Sequence, residues 1–195
     1  MPLIAFEGLD QSGKETQAAR LRARLESAGH RVAVLTFPDD ETPIGREIRA
    51  ALAGEREWQP DVMQLLYIAN RHERKPRIVS LLEAGAVVIC DRYVASSIAY
   101  GEAMGLDPAW LADVQRQLPP AALTVLLDIS PETALARKRS GRDRYERDLS
   151  LLARVRESYR RQAAQPGWAL VDGERPRDEV TRAVMDAVQS RLGLP

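Results

Sequence analysis

The residues able to do chemistry crowd first between Phe6 and Gln17, in the run Phe-Glu-Gly-Leu-Asp-Gln-Ser-Gly-Lys-Glu-Thr-Gln. Gly8 and Gly13 bound a turn that closes on Lys14. A short apolar run, Leu3 to Phe6, precedes the turn and reads as a buried strand. Ala18, Leu21, Leu25 and Ala28 follow at helical spacing. Strand, glycine-bounded turn and helix in that order make a phosphate-cradling P-loop. Backbone N–H groups curl inward, the helix N-terminus adds its positive end, and the lysine supplies a full charge. The alternative, a glycine-rich surface turn with an incidental lysine, is weakened by the flanking elements. One position departs from the pattern. Glu15 stands where Ser or Thr usually offers a hydroxyl to Mg2+, and Thr16 follows one place later.

Three further stretches carry candidate chemistry. Asp91-Arg92-Tyr93-Val94-Ala95-Ser96-Ser97, followed by Ala99-Tyr100, comes just after an apolar run. A guanidinium at a strand end suits a phosphate, whose oxygens it matches bidentately; a surface ion pair is the bland alternative. Asp91 either holds Mg2+ or caps the next helix. Tyr67 and Arg71 are four residues apart and share a helix face, as a ligand-facing pair or as a stacked packing pair. The most cationic stretch runs from Arg137 through Lys138, Arg139, Gly141, Arg142 and Arg144 to Arg147. A mixed charge run of this kind is often only a solvated face.

The elements that must position these groups alternate. Apolar, β-branched runs at Leu3–Phe6, Val32–Phe37, Ala86–Cys90, Leu123–Ile129 and Trp168–Val171 are continuous, as in parallel strands covered on both faces. Amphipathic segments lie between them. Gly29 and Gly85 read as helix stops, Asp107-Pro108 and Ser130-Pro131 as helix starts, and Arg177 to Leu192 as a final helix. Asp61 to Ala84 has a long helical pattern that Pro76 should kink or divide. The pattern predicts a doubly wound α/β fold with ligands at the C-terminal strand ends. It leaves strand order open.

The chain of 195 residues fits one domain over 1–195, and its 28 basic and 28 acidic side chains cancel. That balance gives no global attraction to nucleic acid or membrane. Cys90, a single cysteine inside an apolar run, excludes an internal disulfide and suits a reducing cytoplasm. No apolar run approaches ~18 residues, and the N-terminus lacks the basic and apolar leader of a secreted chain.

Phe-Glu-Gly-x-Asp-x-x-Gly-Lys-x-Thr-Gln, the Asp-Arg-Tyr segment, Leu-Leu-Tyr-Ile-Ala-Asn-Arg and the cationic stretch resemble thymidylate kinases, in the family's order and approximate spacing. The resemblance implies a P-loop NTPase-type sheet of about five parallel strands flanked by helices, with a short mobile lid over roughly 138–148. It implies transfer of a phosphoryl group from ATP to dTMP, giving ADP and dTDP with Mg2+ as cofactor, and a homodimer. By that match Gly8, Leu9, Asp10, Gln11, Ser12, Gly13, Lys14, Glu15 and Thr16 bind ATP, and Arg137 lies against the adenine. The dTMP site takes Phe37, Pro38, Tyr67 stacking on the base, Arg71 on a thymine carbonyl, Arg92 on the phosphate, and Ser96 and Ser97. Asp10 meets the sugar 3′-hydroxyl and Tyr100 crowds the 2′ carbon; simple helix packing for Tyr100 is compatible with this. Asp91 and Glu15 are the metal candidates. Gln11 occupies the position where some members place a catalytic arginine, so Arg142 and Arg144 in the lid are expected to act with Lys14 and Arg92, with Arg139 behind them.

Three features depart or stay open. The loop Phe37-Pro38-Asp39-Asp40-Glu41-Thr42-Pro43 is acidic and lacks the arginine many members carry there. Its acids either face solvent or touch phosphate through Mg2+, and Arg46 and Arg49 are placed to reach back. Val171 to Pro176 resembles the turn that edges the adenine but equally makes an ordinary turn. Arg156 and Tyr159 are weaker candidates for the acceptor phosphate.

Overall fold

The structure, a computed structural model, describes residues 1–137 and 148–195. The lid expected over 138–148, with Arg139, Arg142 and Arg144, lies outside the described residues except for Asp148.

The chain runs β1 (Leu3–Glu7), α1 (Lys14–Ser27), β2 (Val32–Thr36), α2 (Pro43–Leu52), α3 (Pro60–Glu83), β3 (Val87–Asp91) and α4 (Val94–Ala103). It continues through α5 (Pro108–Asp113), β4 (Leu123–Asp128), α6 (Pro131–Arg137), α7 (Leu149–Ala163), β5 (Trp168–Asp172) and α8 (Arg177–Leu192). The strands form one five-stranded sheet, all pairings parallel, in the order β2-β3-β1-β4-β5. The apolar runs therefore name the strands within a residue or two, and the expected parallel α/β architecture is what the chain adopts.

Alternate residues of the central strands point to opposite faces, and both faces are buried. Ile4, Phe6, Val87, Ile89, Val125 and Leu127 pack against Ala18, Leu21 and Leu25 of α1 and Val180, Val184 and Val188 of α8. On the other side Leu3, Ala5, Val88 and Cys90 meet Ile78 of α3, while Leu126 meets Ala95 and Ala99 of α4 and Val155 and Tyr159 of α7. Burial pushes the Cys90 thiol well above its usual range, as befits a core residue and not a nucleophile. Among the described residues no helix is long and apolar enough to cross a membrane.

Of the kink or division expected at Pro76, the division does not occur: α3 is one helix from Pro60 to Glu83. Pro76 lies on the exposed side of the helix, where the carbonyl it frees can be solvated, and Ile78 anchors the next turn in the core. The predicted caps are in place: Asp107 accepts from the Ala109 N–H at 2.8 Å, and the Ser130 hydroxyl from the Thr133 N–H at 3.2 Å.

The loop after β2 is fastened to α2 and α3. Thr42 caps α2 through the Gly45 N–H at 2.9 Å, and buried Asn70 takes the Asp39 N–H at 2.8 Å and donates to the Thr42 hydroxyl at 2.7 Å. Gly45 lets the helix close on this loop, because a Cβ there would overlap the Asp39 carbonyl. Gly45→Ala is expected to destabilise the protein by about 2 kcal/mol or more; a denaturant melt showing an unchanged midpoint would contradict this packing.

Candidate active site

The strand C-termini converge on one edge of the sheet, and β1 delivers the P-loop there. Gly8 has φ 136°, and a Cβ at this position would run into the Leu127 carbonyl oxygen of the neighbouring strand. The turn can follow β4 this closely only with glycine. Gly13 precedes α1, so the first N–H groups of that helix open into a cleft lined by Asp10 to Gln17, Asp91, Arg92, Arg137, Arg175 and Arg177. Gly8 and Leu9 lie behind its wall. The Leu9 side chain is in the core, and both carbonyls accept from Lys14 Nζ, at 3.2 and 2.9 Å. Desolvation and the nearby Arg92 charge lower the Lys14 pKa to about 8. Its charge is thus held in a place that disfavours it until an anion enters.

A second pocket opens beside the first, lined by Phe37, Pro38, Tyr67, Arg71, Ser97 and Tyr100 together with Asp10, Leu52, Gln64, Arg92 and Ser96. Arg71 is 2 % exposed and donates through Nη1 to the Ser97 hydroxyl at 2.8 Å and to Gln115 Oε1 at 3.1 Å. Burial lowers its pKa from the ordinary arginine value. Asp10, Phe37, Pro38 and Arg92 line both pockets, so the two sites meet at Arg92.

Arg92 is clamped. Nη2 donates to Asp10 Oδ1 at 2.7 Å, and Nη1 donates to the Ser96 and Tyr159 hydroxyls at 3.1 and 3.2 Å. The guanidinium carbon stands 5.4 Å from the centre of the Tyr100 ring. Burial works against the Arg92 charge, but Asp10 outweighs it and holds the pKa well above the usual value. Burial likewise resists the Asp10 carboxylate, yet Arg92 and Lys14 bring its pKa down to about 2.

Behind this clamp lies Glu7, fully buried at the end of β1. Oε1 accepts the Tyr93 and Ser96 N–H groups at 2.8 and 3.2 Å, and Oε2 accepts the Ser96 and Tyr159 hydroxyls at 2.6 and 3.1 Å. Glu7 thereby does the capping of α4 that Asp91 was a candidate for. Glu7, Asp91, Asp128 and Asp172 all end strands. Arg156 takes Asp128 bidentately at 2.7 and 2.9 Å, and Arg175 and the Glu174 N–H engage Asp172. Among the described residues, Asp91 alone of these four has no side-chain hydrogen bond. A cleft-lining carboxylate with no side-chain hydrogen bond among the described residues fits one protein ligand of a divalent cation whose other ligands are phosphate and water. Among the described residues no group of three or more His, Cys, Asp or Glu side chains is placed to hold a metal ion.

The structure thus brings together Asp10, Phe37, Pro38, Tyr67, Arg71, Arg92, Ser96, Ser97 and Tyr100 in one pocket, and Asp10 to Thr16 with Asp91 and Arg137 in the other. Arg137 donates to the Gln11 and Gly173 carbonyls at 3.1 and 2.9 Å, tying the P-loop to the turn after β5. Glu15 and Thr16 are exposed at the start of α1. The acidic loop turns to the protein: Asp39 binds Arg74 at 2.6 Å, Asp40 pairs with Arg49, and Arg46 holds the Glu41 carbonyl. Arg156 is taken up by Asp128, whereas Tyr159 does reach Arg92. Sequence reasoning assigned no role to Glu7 or Gln64. The available signals were an acid ending an apolar strand and an amide on the Tyr67 face of α3.

The lowered Lys14 pKa sets a pH signature. Because the folded value lies below the ordinary 10.5, charging Lys14 opposes folding, fully so below about pH 8. Wild type is expected to gain stability relative to Lys14→Met as pH rises from about 8 towards 10.5; parallel stability curves for the two proteins would contradict it.

Comparison with known proteins agrees with this geometry. The family model described as thymidylate kinase matches residues 6–184. A thymidylate kinase from Thermomicrobium roseum is 39% identical over 197 residues, covering 95% of this chain and 93% of that protein. One from Arabidopsis thaliana is 34% identical over 190 residues, covering 97% and 72% respectively. The solved structure of a thymidylate kinase from Candida albicans superposes with a TM-score of 0.82 at 29% identity, covering 97% of this chain and 91% of that one. With a P-loop and a second pocket meeting at one arginine, and a match across nearly its whole length, the chain belongs to the thymidylate kinase family.

Proposed function

We propose that the P-loop cleft holds ATP, that the Tyr67–Arg71 pocket holds dTMP, and that Arg92 sits where their phosphates meet. The reaction is that of the family: ATP-dependent phosphorylation of dTMP to dTDP, a step of dTTP synthesis. The observation that carries the assignment of sites is the sharing of Asp10 and Arg92 by both pockets.

In this reading Tyr67 stacks on the base, Arg71 donates to O4, and Asp10 and Tyr100 face the sugar. An oxygen of the dTMP phosphate attacks the γ-phosphorus of ATP in line; the new O–P bond forms as the bond to the β-phosphate oxygen breaks, and ADP leaves. No strong base is required, since a phosphate monoester is largely ionised near neutral pH. Lys14 leaves the Gly8 and Leu9 carbonyls for the donor phosphates, and Arg92 orients the acceptor phosphate without losing its charge. Mg2+ is the divalent ion this reading favours, with Asp91 as its protein ligand and Glu15 acting through water; it screens the phosphate charges when bound. Arg142 and Arg144 serve the transferring group in place of the arginine that Gln11 replaces. The enzyme acts as one kinase domain in the cytoplasm and as a homodimer through the helices between Asp61 and Gln117, where Leu65 is exposed.

A coupled ADP-release assay with dTMP, dUMP, dCMP and thymidine tests the substrate; preference for any of the last three overturns it. Arg92→Ala is expected to raise the KM for dTMP by about 30–100-fold, the scale of a lost charge-assisted contact; an unchanged KM removes it from the acceptor site. The Arg142→Ala/Arg144→Ala variant is expected to lose about 10³-fold in kcat with smaller changes in KM, and wild-type turnover would exclude a catalytic lid.

A further inference from the structure

Gln64 stands on α3 three residues before Tyr67 and seven before Arg71, on the face that these two residues present to the acceptor pocket. It is 1 % exposed, and its Oε1 is buried with no hydrogen bond. Few buried amide oxygens are left in that state, and one whose side chain lines a ligand pocket points to a partner that arrives with the ligand. At the Arg71 end of the pocket, the Ser97 hydroxyl and the neighbouring Gln115 Oε1 both accept from Arg71 Nη1.

Arg71 has only donors to offer. On a 2,4-dioxopyrimidine it can serve a carbonyl, and it leaves the ring N3–H in need of an acceptor. A carboxamide is complementary to the rest of that edge, its oxygen taking N3–H while its NH2 donates to O2. The positions suit this pairing. Arg71 meets α4 at Ser97, whereas Gln64 packs one turn further along α4, where a Cβ on Gly101 would lie 3.3 Å from Gln64 Cγ. Two turns of α3 separate the residues, about 10 Å along the axis, so side chains converging from both ends can bracket a pyrimidine edge between them.

We propose that Gln64 reads the N3–H and O2 groups of the acceptor base while Arg71 takes O4. This rests on the assignment of dTMP to the pocket and makes Gln64 a specificity-determining residue for the 2,4-dioxopyrimidine class. Thymine and uracil present the same edge and benefit equally. Cytosine brings an amino group against the donors of Arg71 and is rejected.

The test compares dTMP, dUMP and N3-methyl-dTMP as acceptors in wild type and in two variants, Gln64→Met, which keeps the volume, and Gln64→Ala, which leaves room. Gln64→Met should lower kcat/KM for dTMP and dUMP alike by about 10-fold, mostly through KM, with the KM for ATP unchanged. Wild type should disfavour N3-methyl-dTMP by about 100-fold, and in Gln64→Ala that ratio should shrink to a few-fold. Normal dTMP turnover with the same N3-methyl ratio in both Gln64 variants overturns this inference alone, as does loss of the ratio in Ser97→Ala but not in Gln64→Ala. Absence of dTMP turnover in wild type overturns the substrate reading, and this inference with it.

Discussion

A carboxylate with no access to water must be saturated with donors, and Glu7 is such a group. Its partners come from the N-terminus of α4 and from α7, so satisfying one acid at the end of β1 draws both helices to the mouth of the P-loop. The Ser96 and Tyr159 hydroxyls that serve Glu7 keep lone pairs for Arg92. The aim of the arginine is thus inherited from a buried charge that touches neither pocket.

The two cations nearest the meeting point differ in how the fold treats them. Lys14 rests on backbone carbonyls in a setting that lowers its pKa, so a polyphosphate would relieve an existing penalty as it binds. Arg92 is already compensated by Asp10 and fixed by hydroxyls. Its contribution is orientation more than fresh attraction. A lysine at 92 would lack the fork that serves Asp10 and the hydroxyls together, and an arginine at 14 would lack the compactness to fold against the loop. Prearranged dipoles and charges of this sort need little reorganisation when charge shifts between two phosphates.

How much of this could be read from residues alone follows from range. The strands were legible because parallel strands buried on both faces leave unbroken apolar runs, and the P-loop because its chemistry is confined to consecutive residues. Strand order was not legible, since it depends on which runs pair. Glu7 was hidden because its significance lies in partners 86 to 152 positions away. The acidic loop looked like a hazard for phosphate until Arg74 and Arg49 came to face it. That Pro76 leaves α3 undivided was not legible, because sequence does not say which side of a helix is wet.

The backbone of Arg92 is left-handed, with φ 65°. In local terms glycine would suit this position better than any side-chain-bearing residue, by about 1 kcal/mol. Mutation towards glycine is therefore downhill for the main chain and ruinous for anything that depends on the guanidinium. An arginine here is kept against the conformational preference of its own peptide unit, and a search for stabilising substitutions that scored only folding would select against it.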